Sequence, residues 1–381
     1  MTEQLERLAN LPLRENLRGL QPYGAPQLHV PIQLNVNENT HPVPAEVQAA
    51  IAADVAAAAA GLNRYPDREF TELRTRLAAY LGHGLDAENI WAGNGSNEVL
   101  QQILQAFGGP GRTVMGFPPT YSMYPLLASG TDTGYVAGRR EDDFALTAAS
   151  AAAQVAEAAP DVVILCSPNN PTGTALGLDV VEAVYEAGTP SRTVVVVDEA
   201  YAEFAQTGTR SALTLLPGRE RLIVSRTMSK AFALAGARLG YLAAAPEVAD
   251  ALRLVRLPYH LSAVTQATAN AALKHVAALL ANVEAIKEQR DRIVAALTQM
   301  GLSPAPSDSN FVFFGGLAHP SRVWQGLLDA GVIIRDVGIP GHLRVTAGTP
   351  EETTVFLDRL RLLVAEPGAL ATADGHAPDA P

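Results

Sequence analysis

One cysteine, Cys166, stands among 381 residues, so no disulfide can form within the chain and clustered thiolates cannot build a metal site. It closes the apolar run Val162-Val163-Ile164-Leu165, which makes it a small buried hydrophobe rather than a reactive thiol. Long apolar runs are lacking as well: no stretch is long enough to span a bilayer. Met1 to Asn10 mixes Glu3, Glu6 and Arg7 with short apolar residues and has no signal-peptide core. There is no long basic run, and the net charge is −11, which argues against nucleic acid or an anionic membrane as partner. The expectation is a cytoplasmic protein acting on small molecules, without a metal. At 48% hydrophobic and 18% charged residues the balance is that of a folded globular chain.

What is present is an alternation of short apolar runs and helical segments. Residues 1–35 carry Pro12, Pro22, Pro26 and Pro31 and read as an arm with little regular structure. The alanine-rich stretch Ala45 to Ala60 predicts a helix stopped by Gly61. Leu73, Leu77 and Leu81 form one stripe of a second helix over Thr71 to Leu81. Thr113 to Gly116, Val162 to Cys166, Thr193 to Val197, Leu222 to Ser225 and Leu239 to Ala243 read as strands. Several are β-branched without polar alternation, as in a parallel sheet covered on both faces. The fold class is therefore α/β, a three-layer large domain over 36–260 with a mixed, mostly parallel sheet.

Beyond Pro258, Ala263 to Met300 predicts one long helix or two broken ones. Strands at Asn310 to Phe314, Val332 to Arg335 and His342 to Thr346, with helices at Ser321 to Ala330 and Pro350 to Val364, read as a smaller α/β C-terminal domain over 261–365. The tail 366–381, rich in Ala, Pro, Gly and Asp, is expected to be disordered.

Against that frame the polar residues converge on one chemistry. Lys230 lies in Thr227-Met228-Ser229-Lys230-Ala231-Phe232, eight residues before Arg238. A lysine attacks an aldehyde only as the neutral amine, which burial and nearby positive charge favour. Asp198 ends a run of four valines, placing a carboxylate at the C-terminal edge of a central strand, where it can keep a pyridine nitrogen protonated. Helix capping is the ordinary alternative for such an acid. Tyr201 follows three residues later and can donate to a phenolic oxygen, as can Asn170 in the turn Asn169-Asn170-Pro171-Thr172-Gly173. Most such turns are only turns, but this one follows a strand, where α/β sheets bind ligands. Gly93-Asn94-Gly95-Ser96-Asn97 precedes a helix over Glu98 to Phe107, whose free N–H groups suit a phosphate. Thr227, Ser229 and Arg238 would complete that cup. Tyr121 is a candidate to stack on a ring, with Tyr124 left to the core. Amine, acid, phenol partners, phosphate cup and ring clamp together compose a site for pyridoxal 5′-phosphate.

The Lys230 block with Arg238, the Asn-Asn-Pro-Thr-Gly turn and Val197-Asp198-Glu199-Ala200-Tyr201 resemble the fold type I aminotransferases. Leu34-Asn35-Val36-Asn37-Glu38-Asn39, Arg64-Tyr65-Pro66-Asp67, Gly95-Ser96-Asn97-Glu98, Ile334-Arg335-Asp336 and Leu343-Arg344-Val345-Thr346-Ala347-Gly348 narrow the likeness to the histidinol-phosphate aminotransferase family. The resemblance runs from about Tyr23 to Thr353. It implies a homodimer in which Tyr65 reaches the partner's cofactor phosphate. It also implies that Arg344, with Tyr23, Asn37 and Arg335, holds the anionic end of histidinol phosphate or of glutamate. Aromatic amino-acid aminotransferases and threonine-phosphate decarboxylases share most of these motifs; the set Tyr23, Arg335 and Arg344 favours a phosphate substrate. A cofactor-sensing regulator would need a DNA-binding segment, and no basic helix-turn-helix stretch precedes Leu34.

Overall fold

The computed structural model describes residues 8, 10–20, 24 and 26–371. Strand β1 (Ile32–Gln33) is followed by the members of a seven-stranded sheet: β2 (Ile90–Gly93), β3 (Thr113–Gly116), β4 (Gly134–Ala137), β5 (Val162–Cys166), β6 (Val194–Asp198), β7 (Leu222–Thr227) and β8 (Gly240–Ala244). Their order is β2-β8-β7-β6-β5-β3-β4. Only β8 runs against its neighbours, pairing antiparallel with both β2 and β7, while β3 to β7 pair parallel.

Every residue of β5, β6, β7 and β8 is buried, so both faces of the sheet are covered. That is why these strands read as unbroken Val/Ile/Leu runs. Each such side chain contributes about 1.5–3 kcal/mol of burial. Helix α1 (Ala45–Ala59), α2 (Thr71–Leu81) and α3 (Ser96–Phe107) fall where the periodicity puts them. Helix α3 buries Val99, Leu100, Ile103 and Leu104 on one face, against β2, β7 and β8. Then come α4 (Met123–Gly130), α5 (Ala148–Ala158), α6 (Leu178–Ala187) and α7 (Pro246–Val255).

The C-terminal part breaks its long helical stretch in two, α8 (Ala263–Leu273) and α9 (Val276–Gln299), at Lys274-His275. Strand β10 (Phe311–Gly315) is the middle of a three-stranded antiparallel sheet, between β9 (Ser303–Pro304) and β12 (Leu343–Thr346). Helices α10 (Pro320–Asp329) and α11 (Pro350–Val364) pack on one another. A capping box between Thr349 and Glu352 starts α11.

Three segments differ from expectation. The arm is not wholly irregular: β1 pairs in parallel with β11 (Val332–Ile333), tying it to the C-terminal part. The strand expected through Arg335 stops at Ile333, and Arg335 meets Arg344 in an isolated bridge. The tail keeps its first turns: Leu370 bridges to Leu317, and Ala371 N donates to the Gly316 carbonyl at 3.0 Å. Residues 372–381 lie outside the described residues, as does Tyr23. Among the described residues no helix is long and apolar enough to cross a membrane.

Candidate active site

The C-terminal ends of the parallel strands open into a cleft of about 510 Å³. Lys230, Asp198, Tyr201, Asn170, Tyr121 and Arg344 all line it. Register explains part of this convergence: Cys166 of β5 is opposite Asp198 of β6, and Asp198 is opposite Ser225 of β7. The loops leaving these strands must therefore emerge side by side, carrying Asn170 after β5, Tyr201 after β6 and Lys230 after β7.

Asp198 is the last residue of β6 and 3% exposed. Its Oδ2 accepts from the Tyr124 hydroxyl at 2.9 Å. Its Oδ1 is buried and has no hydrogen-bond partner among the described residues. Burial pushes this carboxyl up to about 6, against the opposing hydrogen bonds from Tyr124 and the Ala200 amide. Tyr124 is fully buried, as a core residue is expected to be, but its hydroxyl end reaches Asp198 in the site. A tyrosine in an apolar helix gave no sequence signal of that partner, which lies 74 positions away.

Lys230 follows β7, and its Nζ donates to the Val36 carbonyl at 3.2 Å. Burial, then the charges of Arg344 and Arg238, bring its amine down to about 8, with Glu38 pulling the other way. Tyr201 Oη accepts from Asn37 Nδ2 at 3.0 Å and from Asn170 Nδ2 at 3.4 Å. Burial holds this phenol well above its usual range. Asn37 is itself fixed, since its amide N donates to Thr346 Oγ1 at 3.0 Å and its Oδ1 accepts from the same hydroxyl at 3.2 Å. Arg344 on β12 donates to Asn170 Oδ1 and to the Asn35 carbonyl. Arg335 also lines the cleft. Among the described residues no ion pair joins Arg335 to Asp336, whose Oδ1 accepts instead from Gly338 N at 2.8 Å.

Beside these groups lies an anion cradle. Gly95, at φ +87°, precedes α3, and Ser96 and Asn97 open that helix toward the cleft. A Cβ on Gly95 would stand 2.5 Å from an Arg238 guanidinium nitrogen, and one on Gly240 would stand 2.1 Å from Ser96 N. Only glycine permits this approach of loop, strand and arginine. The Thr227 and Ser229 hydroxyls lie 3.0 Å apart beside it. Cys166 is buried, and its thiol is pushed up to about 12, so it is no nucleophile. Among the described residues no group of His, Cys, Asp and Glu is placed to hold a metal.

These residues fit a phosphorylated pyridine aldehyde. The unpartnered Asp198 Oδ1 calls for a proton donor, the helix N-terminus beside Arg238 calls for a phosphate, and Lys230 is an amine of lowered basicity. Tyr65 alone among the described expected residues stands apart from the cleft. It is 79% exposed and stacks on Tyr259 with ring centroids 4.4 Å apart. The sequence reading missed Tyr124, the Val36 and Asn35 carbonyls, and Glu38 on the cleft wall.

The profile of the aminotransferase class I and II family matches residues 30–360. The chain is 77% identical over 364 residues to the histidinol-phosphate aminotransferase of Paenarthrobacter aurescens (strain TC1), covering 96% of this chain and 98% of that one. It is 58% identical to the histidinol-phosphate aminotransferase of Thermobifida fusca (strain YX), covering 97% of each. Among solved structures, it resembles the Sinorhizobium meliloti histidinol-phosphate aminotransferase in complex with pyridoxal-5′-phosphate. That match has a TM-score of 0.83 and 27% identity, over 94% of this chain and 98% of that one. Its fold is also that of the Thermus thermophilus aspartate aminotransferase with maleate, at a TM-score of 0.72 and 24% identity over 87% and 91% of the two chains.

Proposed function

Because the chain belongs to the aminotransferase class I and II family, we propose that it uses pyridoxal 5′-phosphate to transfer the amino group of L-histidinol phosphate to 2-oxoglutarate. The products are imidazole-acetol phosphate and L-glutamate, and in histidine biosynthesis the reaction runs toward histidinol phosphate. The observation that carries the substrate is the 77% identity, over nearly the whole of both chains, to a relative named for it.

Bound at this site, the cofactor would supply an electron sink that acidifies the carbon bearing the substrate amine. Lys230 would hold the cofactor through its aldehyde and, once freed by substrate, would take and return the proton at the substrate carbon. Its lowered basicity suits both tasks near neutral pH. Asp198 Oδ1 would keep the pyridine nitrogen protonated, and Tyr201 and Asn170 would hold the phenolic oxygen. Ser96 and Asn97 at the start of α3, with Thr227, Ser229 and Arg238, would hold the phosphate, and Tyr121 would cover the ring. Arg344, already oriented by Asn170 and Asn35, takes the substrate's phosphate or the glutamate carboxylate, with Arg335 and Asn37 beside it. A guanidinium serves both anions because its planar fork matches either.

The same proposal includes a homodimer in the cytoplasm. Tyr65, Leu254 and Leu257, 79%, 86% and 75% exposed, with Tyr259 stacked on Tyr65, present apolar surface that a second copy would cover. Tyr65 would then reach the partner's phosphate cradle. The division into an arm over 1–35, a cofactor domain over 36–260, a smaller domain over 261–365 and a tail belongs to it too.

The test is to mix cofactor-loaded protein with L-histidinol phosphate, L-phenylalanine and threonine phosphate in turn and record the cofactor absorbance. A change to the pyridoxamine spectrum with histidinol phosphate, slower by orders of magnitude with phenylalanine, is expected. A response to phenylalanine alone would move the substrate class to aromatic amino acids, and carbon dioxide release from threonine phosphate would make the protein a decarboxylase. Lys230→Ala is expected to bind the cofactor noncovalently and turn over negligibly; near-unchanged turnover would remove Lys230 from its role.

A further inference from the structure

Asp198 is the buried acid of this cleft, and two donors bear on its carboxyl, the Ala200 amide and the Tyr124 hydroxyl. Tyr124 is the side-chain donor of the two. Its side chain enters from α4, fully buried, and its hydroxyl donates to Oδ2 at 2.9 Å. Oδ1 is left without a hydrogen-bond partner among the described residues. The Tyr124 ring also meets Tyr121 edge to face, with centroids 5.5 Å apart at 86°. One residue thus touches both the acid and the ring clamp. We propose that Tyr124 is a positioning residue: its hydroxyl locks Asp198 so that Oδ1 is presented to the pyridine nitrogen, and its ring braces Tyr121 against the cofactor face. This rests on the pyridoxal-phosphate reading above.

The chemistry runs through Oδ2. A donated hydrogen bond favours the ionised carboxylate, and burial opposes it. The other titratable groups around Asp198 do not substitute for this donor. Cys166, opposite on β5, has a thiol that donates to the Pro168 carbonyl at 3.5 Å. Glu199, next along the chain, is a like charge and is committed to Arg226 at 2.7 Å. Removing the Tyr124 hydroxyl would therefore shift Asp198 toward its neutral form and free the carboxyl to rotate. Both changes weaken its hold on a protonated ring nitrogen.

The experiment is a titration of apoprotein with pyridoxal phosphate, followed by absorbance across pH 5 to 9, for the unsubstituted chain and for Tyr124→Phe. Far-ultraviolet circular dichroism and the melting temperature check folding of both. A charge-assisted hydrogen bond of this kind predicts roughly tenfold weaker cofactor binding in Tyr124→Phe, about 1.4 kcal/mol by the tenfold rule. The acidic limb of the affinity profile should also move to higher pH. A folded Tyr124→Phe with the same affinity within twofold and the same profile overturns the proposal. Should Tyr124→Phe not fold, 3-fluorotyrosine placed at position 124 supplies a more acidic donor. The acidic limb must then move to lower pH, and an unmoved limb overturns the proposal. Failure of the unsubstituted chain to bind the cofactor would instead sink the cofactor reading itself.

Discussion

The lowered basicity of Lys230 makes the capture of cofactor a function of pH with a calculable shape. An ordinary lysine amine at 10.5 is neutral in about one molecule in 3,000 at pH 7. With the amine near 8, about one in eleven is neutral, roughly a 300-fold gain in the reactive form. The apoprotein should therefore form its covalent adduct with pyridoxal phosphate at a rate that rises about tenfold per unit below pH 8 and flattens above it. Stopped-flow absorbance of apoprotein mixed with excess cofactor measures this directly. Glu38→Gln removes the carboxylate that raises the amine's pKa, so its profile should be displaced to lower pH. Linkage gives an independent sign. Below pH 8 the amine is protonated in both folded and unfolded chains, and the cost of burying its charge is complete. Between about 8 and 10.5 only the unfolded chain keeps the proton, so this group adds stability to the apoprotein as pH rises. A capture rate still rising tenfold per unit beyond pH 9.5 would refute the argument, because Lys230 would then be an ordinary solvated amine.

Three further outcomes follow from contacts in the fold. Gly240→Ala places a methyl 2.1 Å from Ser96 N, so it should cost about 3 kcal/mol and weaken phosphate capture, read by thermal melting and by cofactor titration. Arg226 joins Glu199 at 2.7 Å and Glu203 at 2.9 Å with all three side chains buried, so Arg226→Ala strands two carboxylates. A loss of about 3–5 kcal/mol in denaturant unfolding is expected, and a loss below 1 kcal/mol would contradict it. Arg344→Lys keeps the charge but loses the fork that contacts Asn170 and Asn35. The KM for histidinol phosphate and for glutamate should both rise about tenfold or more, equivalent to about 1.4 kcal/mol, with a smaller effect on cofactor affinity.

Much of this protein is written locally. The unpolar runs at Val162–Cys166 and Val194–Asp198 reveal buried parallel strands because both their faces are covered, and an acid ending such a run must stand at the sheet's C-terminal edge. Glycine at 95, followed by Ser96 and a helical stripe, declares a helix N-terminus open to an anion. Helices α1 and α2 emerge from propensity and period alone. Strands of two residues, such as β1 and β9, carry too few positions for any period to appear, and they are defined by their pairing with β11 and β10. The partnerships within the cleft are likewise not local. Tyr124 meets Asp198 across 74 positions, Arg344 meets Asn170 across 174, and Lys230 finds the Val36 carbonyl across 194. A side chain's type limits what it can donate or accept, and the sequence settled that much: an amine, an acid, a phenol and arginines suited to one cofactor. Which oxygen of Asp198 is left for a ligand, how far burial lowers the Lys230 amine, and which carbonyls orient Arg344 depend on atoms brought together only when the sheets pack, because hydrogen bonding and desolvation act over a few ångströms of space regardless of distance along the chain.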